Sequence, residues 1–162
     1  MDEIQLLKVL ENDPRISTAD LADILNVKEQ EVVDERTRLE KEHVIAGYHT
    51  VINWDKTSVD QVSAIIEVSA KPERDVGYDK IAEKIGHFDE VSSLYLMSGT
   101  SEFMVFINGR SMREIADFVG QKLAPIDGVT STVTCFLLKK YKVEGTMMEK
   151  EHVKDERMLV EP

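Results

Sequence analysis

The side chains best suited to bond-making chemistry are few and scattered in this sequence. Its histidines stand at positions 43, 49, 87 and 152, and its one cysteine at 135. There is no His-x-x-x-His pair and no Cys pair, so no zinc-binding signature is encoded. His43 and His49 flank a helix-to-strand junction, with no further Cys or His close by to complete a metal site. Cys135 cannot form an internal disulfide; it sits in an apolar stretch, where an inert buried thiol is expected rather than a nucleophile. No nucleophile–base motif is present. The expectation is a binding protein, not an enzyme, without a metal or cofactor.

Recognition chemistry concentrates instead between Ile16 and Tyr48. Ser17 is suited to cap a helix, and Asp20 three residues on completes a weak capping box. Leu21, Ile24 and Leu25 recur at helical spacing. Asn26 tolerates a left-handed turn and can end that helix. A second helix restarts near Lys28, with Val32 and Leu39 seven apart on one face, and the small Ala22 permits close approach of the pair. Two short helices about a tight turn form a helix-turn-helix, whose second helix can enter the major groove of DNA. Most amphipathic helix pairs bind nothing, so the spacing alone does not decide.

Composition bounds the classes. The chain has 162 residues, 42% hydrophobic and 31% charged, enough for one ordinary domain or two small ones. No apolar run approaches the length of a membrane span, and no signal peptide is visible after Met1-Asp2-Glu3, so a cytoplasmic protein with no membrane partner is expected. The net charge of −11 argues against a generic nucleic-acid binder. Residues 1–50 hold 6 Lys and Arg against 12 Asp and Glu, and the remainder 14 against 19, so the helix-turn-helix region is the more acidic per residue.

The elements that must position these residues read as follows. A first helix from about Asp2 to Asn12 faces Ile4, Leu7 and Leu10 inward and stops at Asp13-Pro14. The run 48–53 reads as a strand, a wing or connecting arm. From Val62 the period changes to two: Val62, Ala64, Ile66 and Val68 line one face of a strand. Tyr78, Ile81, Ala82 and Ile85 then mark an amphipathic helix capped by Gly86. Strands follow at 91–97 and 102–107. A Ser111–Glu114 capping box opens a helix whose buried stripe is Met112, Ile115, Ala116, Val119 and Leu123. A long last strand runs over 129–138. The order βαββαβ predicts an α+β protein, an N-terminal winged helix-turn-helix followed by a ferredoxin-like antiparallel sheet. The expected bounds are 1–52 for the helix-turn-helix domain, 53–61 for a linker, 62–143 for the sheet domain and 144–162 for a charged tail with an apolar patch at Met158-Leu159-Val160. The open sheet face is expected to carry Ile65, Met104, Phe106, Phe136 and Leu138 and to meet a partner subunit.

This arrangement resembles the Lrp/AsnC, or feast/famine, family of transcription regulators over roughly residues 2–143. The resemblance rests on "LLKVLENDPRISTADLADILNV", on the exit "RLEKEHVIAGY" and on the turn "SGTSEF". It implies a first domain that binds double-stranded DNA. It implies a second domain that dimerises, assembles as far as octamers, and binds a small effector, usually an amino acid, at contacts between dimers. The candidate DNA contacts are Lys28, Gln30, Arg36, Arg38 and Lys41. The candidate effector residues are Gly99, Thr100, Ser101, Glu102, Thr132 and Thr134: Glu102 to accept from an ammonium group, the hydroxyls and turn N–H groups to hold a carboxylate. The same turn also reads as a plain hairpin, and the threonines as ordinary sheet residues.

The sequence departs from the family pattern in places. Asp34 and Glu35 stand where the family usually carries Arg or Lys, Arg36 where it carries an apolar residue, and His43 where glycine is common. The family turn usually reads glycine, a polar or acidic pair, an aromatic and Asp; here it is Gly99-Thr100-Ser101-Glu102-Phe103. From Lys28 to Glu42 there are 4 basic and 6 acidic residues, and carboxylates repel phosphates. One alternative is therefore an effector-binding assembly protein with a weakened DNA-binding head. Another is a tetrapyrrole decarboxylase of the same architecture, which the sparse histidines disfavour.

Overall fold

The computed structural model describes residues 1–149 apart from 73, 75 and 76. It divides into two compact units, Met1–Thr50 and the chain from Val51 onward. The apolar patch expected at 158–160 lies outside the described residues.

Three helices build the first unit: α1 (Glu3–Asn12), α2 (Thr18–Leu25) and α3 (Glu29–Lys41). Asp2 starts α1 by accepting the Ile4 and Gln5 N–H groups, and Ser17 starts α2 by accepting the Asp20 N–H at 3.0 Å. The Ser17–Asp20 box closes differently from the expected one, because the Ser17 hydroxyl donates to the Asp20 carboxylate at 2.6 Å. Leu6, Leu10, Leu21, Ala22, Val32 and Leu39 form the core. Two expectations fail here. Ile4 is 57% exposed and Leu6 is buried in its place, because Leu6 and Leu10, four apart, set the inward face of α1. Ile24 also points outward, at 51% exposure.

Both α2 and α3 end in the same way. Asn26 takes φ 53° while its N–H reaches the Asp23 carbonyl and that of Val27 reaches Ala22. His43 takes φ 56° while its N–H reaches Glu40 and that of Val44 reaches Leu39. These paired bonds are Schellman caps, which require a left-handed residue at the exit. The glycine expected by resemblance at position 43 thus has a physical reason, and a histidine fills the place at a conformational cost of roughly 1–2 kcal/mol.

No strand forms over 48–53. A strand needs an edge to pair with, and this stretch instead enters a short 3₁₀ turn at Trp54–Lys56. The Asn53 side chain donates to the Met148 carbonyl at 2.7 Å, so the segment read as a linker is tied to the second unit.

The second unit holds β1 (Val62–Ala70), α4 (Asp79–Gly86), β2 (Val91–Leu96), β3 (Phe103–Gly109), α5 (Met112–Phe118), β4 (Val129–Phe136) and a small hairpin of β5 (Lys142–Val143) and β6 (Thr146–Met147). The four long strands pair antiparallel in the order β2-β3-β1-β4, the split βαβ arrangement predicted from the pattern. After α5 the chain continues through one π turn, Val119–Leu123. Ala64, Ile66, Val68, Phe103, Val105 and Ile107 face the helices and pack on Ile81, Ile85, Ile115, Phe118 and Leu123. Gly128, at φ 94°, is required for this packing, since a Cβ there would stand 2.7 Å from the Ile81 Cδ1. Met112, at 57% exposure, and the exposed Ala116 leave the predicted stripe, and Phe118 fills the core against Phe88.

The open face also needs correction. Ile65, Met104 and Phe106 lie on it, but Phe136 pairs with Ala64 and so shares the helix-covered face. Leu138, 97% exposed, lies beyond the end of β4. Tyr95 and Val133 are exposed on the open face in their stead, with Cys135, which is exposed rather than buried.

Candidate functional site

The chemistry of the first unit is set by how α3 is turned. Val32 and Leu39 bury completely, and at 100° per residue this directs Gln30, Asp34, Thr37 and Lys41 away from the core as one stripe, all exposed, with Val33 beside it at 44% exposure. The five residues expected to contact DNA divide along this line. Gln30 and Lys41 stand on the outward stripe, and Lys28 is exposed at the helix start. Arg36 and Arg38 do not belong with them.

Arg38 is held on the flank by three carboxylates, each at 2.6 Å: Glu35 and Glu42 on its own helix and Glu3 on α1. Hydrogen bonds to Glu35 and Glu3 drive its pKa upward, and the same guanidinium holds the Glu35 carboxyl below its usual range. The residue is a tie between α1 and α3, and four of its five N–H donors are engaged by carboxylates. Arg36 is partly buried; its Nε and Nη2 atoms are out of solvent and hydrogen-bond to nothing among the described residues. Arg38 thus sits in a surface network with 41% of its side chain exposed, and Arg36 is half-buried. Residues that counting charges overlooked are Asp34, Thr37 and Val33. Helical spacing from Val32 and Leu39 was the signal that identifies them.

Gln30 and Asp34 are joined across one helical turn, the Gln30 Nε2 donating to the Asp34 Oδ1 at 2.9 Å. An ionised carboxylate only accepts, so the amide nitrogen must face it.

In the second unit the turn 97–102 joins β2 to β3. The Glu102 carboxylate accepts the Ala70 N–H at 2.7 Å, where the register of β1 shifts and the ladder leaves that group open. The Ser101 hydroxyl stands 3.5 Å from the Glu67 carboxylate. Thr132 and Thr134 lie opposite Val68 and Ile66, both fully buried on the helix side. Within one chain the threonines therefore face away from Glu67, with β1 between them and the turn, and the six expected residues do not line one cavity. Gly99 and Thr100 are exposed. A Cβ at Gly99 would meet nothing within 4 Å, so the chain itself gives no steric reason for glycine there. Glu67 is the residue the sequence reading missed: it is half-buried on the open face, between Met104 and Val133 in the pairing. Its signal was the lone charged residue of β1. Among the described residues no cluster of His, Cys, Asp and Glu could hold a metal ion, and no helix is long and apolar enough to cross a membrane.

Comparison with known proteins adds identity to this geometry. Residues 63–147 match the model of the Lrp/AsnC ligand binding domain. The chain is 40% identical over 161 residues to the uncharacterized HTH-type transcriptional regulator YugG of Bacillus subtilis, covering 99% of this chain and 96% of that one. The fold matches the leucine response regulatory protein of Mycobacterium tuberculosis with a TM-score of 0.75, at 22% identity, over 92% of this chain and 99% of that one. It also matches a transcriptional regulator of Neisseria meningitidis solved with L-Met, with a TM-score of 0.68 at 20% identity, over 87% and 90% of the two chains. These relatives are regulators, not enzymes, which removes the decarboxylase alternative. A three-helix unit ahead of this sheet, and a relative matched along almost the whole chain, place the protein in the Lrp/AsnC family of helix-turn-helix transcriptional regulators, with that family's ligand-binding domain.

Proposed function

We propose that this regulator binds specific DNA sequences through α3 and that an amino acid, bound at contacts between dimers, changes that binding. The observation that carries the DNA half is the outward stripe of α3: it takes no part in the core and is continuous over three helical turns. Dimers form through the open face of the sheet, where Tyr95 and Val133 stand exposed and Phe106 is half-buried against Tyr95.

Support for the effector half comes from the turn. A free amino acid needs an acceptor for its ammonium and donors for its carboxylate. Glu67 is the better acceptor than Glu102, because the Glu102 carboxylate is occupied by the Ala70 N–H while Glu67 has one long contact from Ser101. The bare backbone at Gly99 and the Thr100 hydroxyl supply donors. The Neisseria relative was solved with L-Met, which motivates testing amino acids first. Thr132 and Thr134 enter such a site only if a second subunit brings them. Effector control requires that the amino acid bind two assembly states with different affinity.

One observation favours a second reading, in which the head is too weak to bind DNA unaided: Arg38 is consumed by carboxylates and Arg36 is turned in. A gel-shift titration with DNA from upstream of the protein's own gene, extended to a library of genomic fragments, separates the two. It would be run at low and moderate salt, with competitor DNA, with and without pooled amino acids. A shift that survives competitor and moves with one amino acid is the expected result. No shift with any genomic fragment at low salt, from folded oligomer, would overturn DNA binding and leave the second reading.

A further inference from the structure

Resting on the DNA-binding reading, we infer that α3 reads amino groups in the major groove: Gln30 recognises an adenine with Asp34 holding its amide, and the free Asp34 oxygen accepts from a neighbouring cytosine N4.

The argument starts from what the stripe lacks. From Gln30 to Thr37 the outward face presents Gln30, Val33, Asp34 and Thr37, and no arginine or lysine. Guanine offers two acceptors, O6 and N7, and is read by the bidentate donors of Arg or Lys. The arginines that could have served are withdrawn, Arg38 by Glu3, Glu35 and Glu42, and Arg36 by burial. Lys41 lies at the far end of the helix, whereas the N-terminal residues of a recognition helix contact the base edges; Lys28 is the exposed N-cap, four residues before the buried Val32 and so off the outward stripe by helical spacing.

What remains is rich in acceptors. The Gln30 amide has two N–H donors and one carbonyl oxygen. One N–H goes to Asp34. The other N–H and the carbonyl match the N7 acceptor and N6 amino group of adenine. Because the carboxylate fixes which end of the amide faces it, Gln30 does not have to choose its orientation at the moment of binding. Asp34 itself keeps one oxygen free, and a carboxylate in the major groove finds a donor in cytosine N4. Val33, exposed beside the pair, suits a thymine methyl. Asp34, which looks like an obstacle to DNA binding when charges are counted, becomes a reader and a positioning residue.

The test is a selection from random duplex DNA by the full chain, with Gln30→Ala and Asp34→Asn run beside it. Both positions are exposed, and circular dichroism confirms that each variant is folded. The wild type is expected to enrich half-sites with adenine next to cytosine at the core and without guanine on the contacted strand. Asparagine pairs with adenine, so Asp34→Asn is expected to exchange the cytosine preference for adenine, with discrimination at that base shifting by roughly tenfold to a hundredfold. Gln30→Ala is expected to relax the adenine position alone. A guanine-centred motif, or a motif unchanged by Asp34→Asn, would overturn the readout while leaving DNA binding standing. Absence of any enriched sequence from folded wild-type protein would overturn DNA binding, and the readout with it.

Discussion

The flank and the outward stripe of α3 use the same residue types to opposite ends. On the flank, Arg38 is paired at the surface of the head with Glu3, Glu35 and Glu42. On the stripe, three residues further along, Lys41 stands exposed. Position on the helix, set by Val32 and Leu39, decides which cation is structural and which is presented. A count of charges over the helix averages two surfaces that do different things. The acidic balance of the head says less about DNA than it first suggests, because Glu3, Glu35 and Glu42 gather around an arginine on the flank rather than on the outward stripe.

The division can be broken at its root. Leu39 is fully buried and anchors the orientation of α3. Leu39→Ala is expected to cost about 2–5 kcal/mol, enough to unfold a head with so small a core. A thermal melt should then show the head's transition lost or shifted far down, with the sheet unit's transition retained. A single unchanged transition would mean the head is not held by this contact.

Arg36 sharpens the comparison from the other side. Its unpaired buried nitrogens cost stability, so Arg36→Met is expected to raise the head's stability by about 1–3 kcal/mol in denaturant titration and to leave DNA affinity unchanged. Loss of affinity would show that the side chain swings out to the DNA. Lys41 and Arg38 can then be compared directly. Lys41→Ala is expected to reduce the slope of log affinity against log salt by about 1 for each head engaged, the signature of one lost phosphate contact. Arg38→Ala should leave that slope alone and lower the melting point of the head. An equal change of slope in both would erase the distinction between flank and stripe.

Smaller effects follow from the caps and from acid. His43→Gly removes a left-handed penalty but makes the unfolded chain more flexible, so a net gain of about 1 kcal/mol or less is expected, read from the denaturation midpoint. The Glu35 carboxyl is held below its ordinary value by Arg38, so its contribution is complete above the ordinary glutamate pKa. That contribution fades as the pH falls through the lowered value. Acid titration of the wild-type head should therefore show a loss of stability in that range, and the Arg38→Ala head should lose less over the same range.

Much of this was legible in the sequence. The change of hydrophobic period at Val62 gave the sheet, and Ser17 and Asn26 marked helix ends where the structure has them, whereas α4 runs through Gly86 and is capped by His87. Orientation was harder. In β4, Ser131, Val133 and Cys135 alternate with Thr132, Thr134 and Phe136, and both sets mix apolar with polar, so only pairing with β1 assigns the faces. In α1, adjacent Leu6 and Leu7 offer two inward faces, and the contact with α2 and α3 chooses Leu6. The candidate site was hidden for a related reason. Arg38 and Lys41 look equivalent until Glu3, 35 residues away in sequence, is brought beside one of them. Likewise Glu102 looked free until the irregular end of β1 placed the Ala70 N–H against it.

The separation of stripe from core has an evolutionary consequence. Gln30, Asp34, Thr37 and Lys41 are not among the six core side chains and make none of the Arg38 hydrogen bonds. Gene duplicates of such a regulator can drift at these positions without passing through an unfolded ancestor. New target preferences are then reachable one substitution at a time, on a scaffold whose stability selection has already settled.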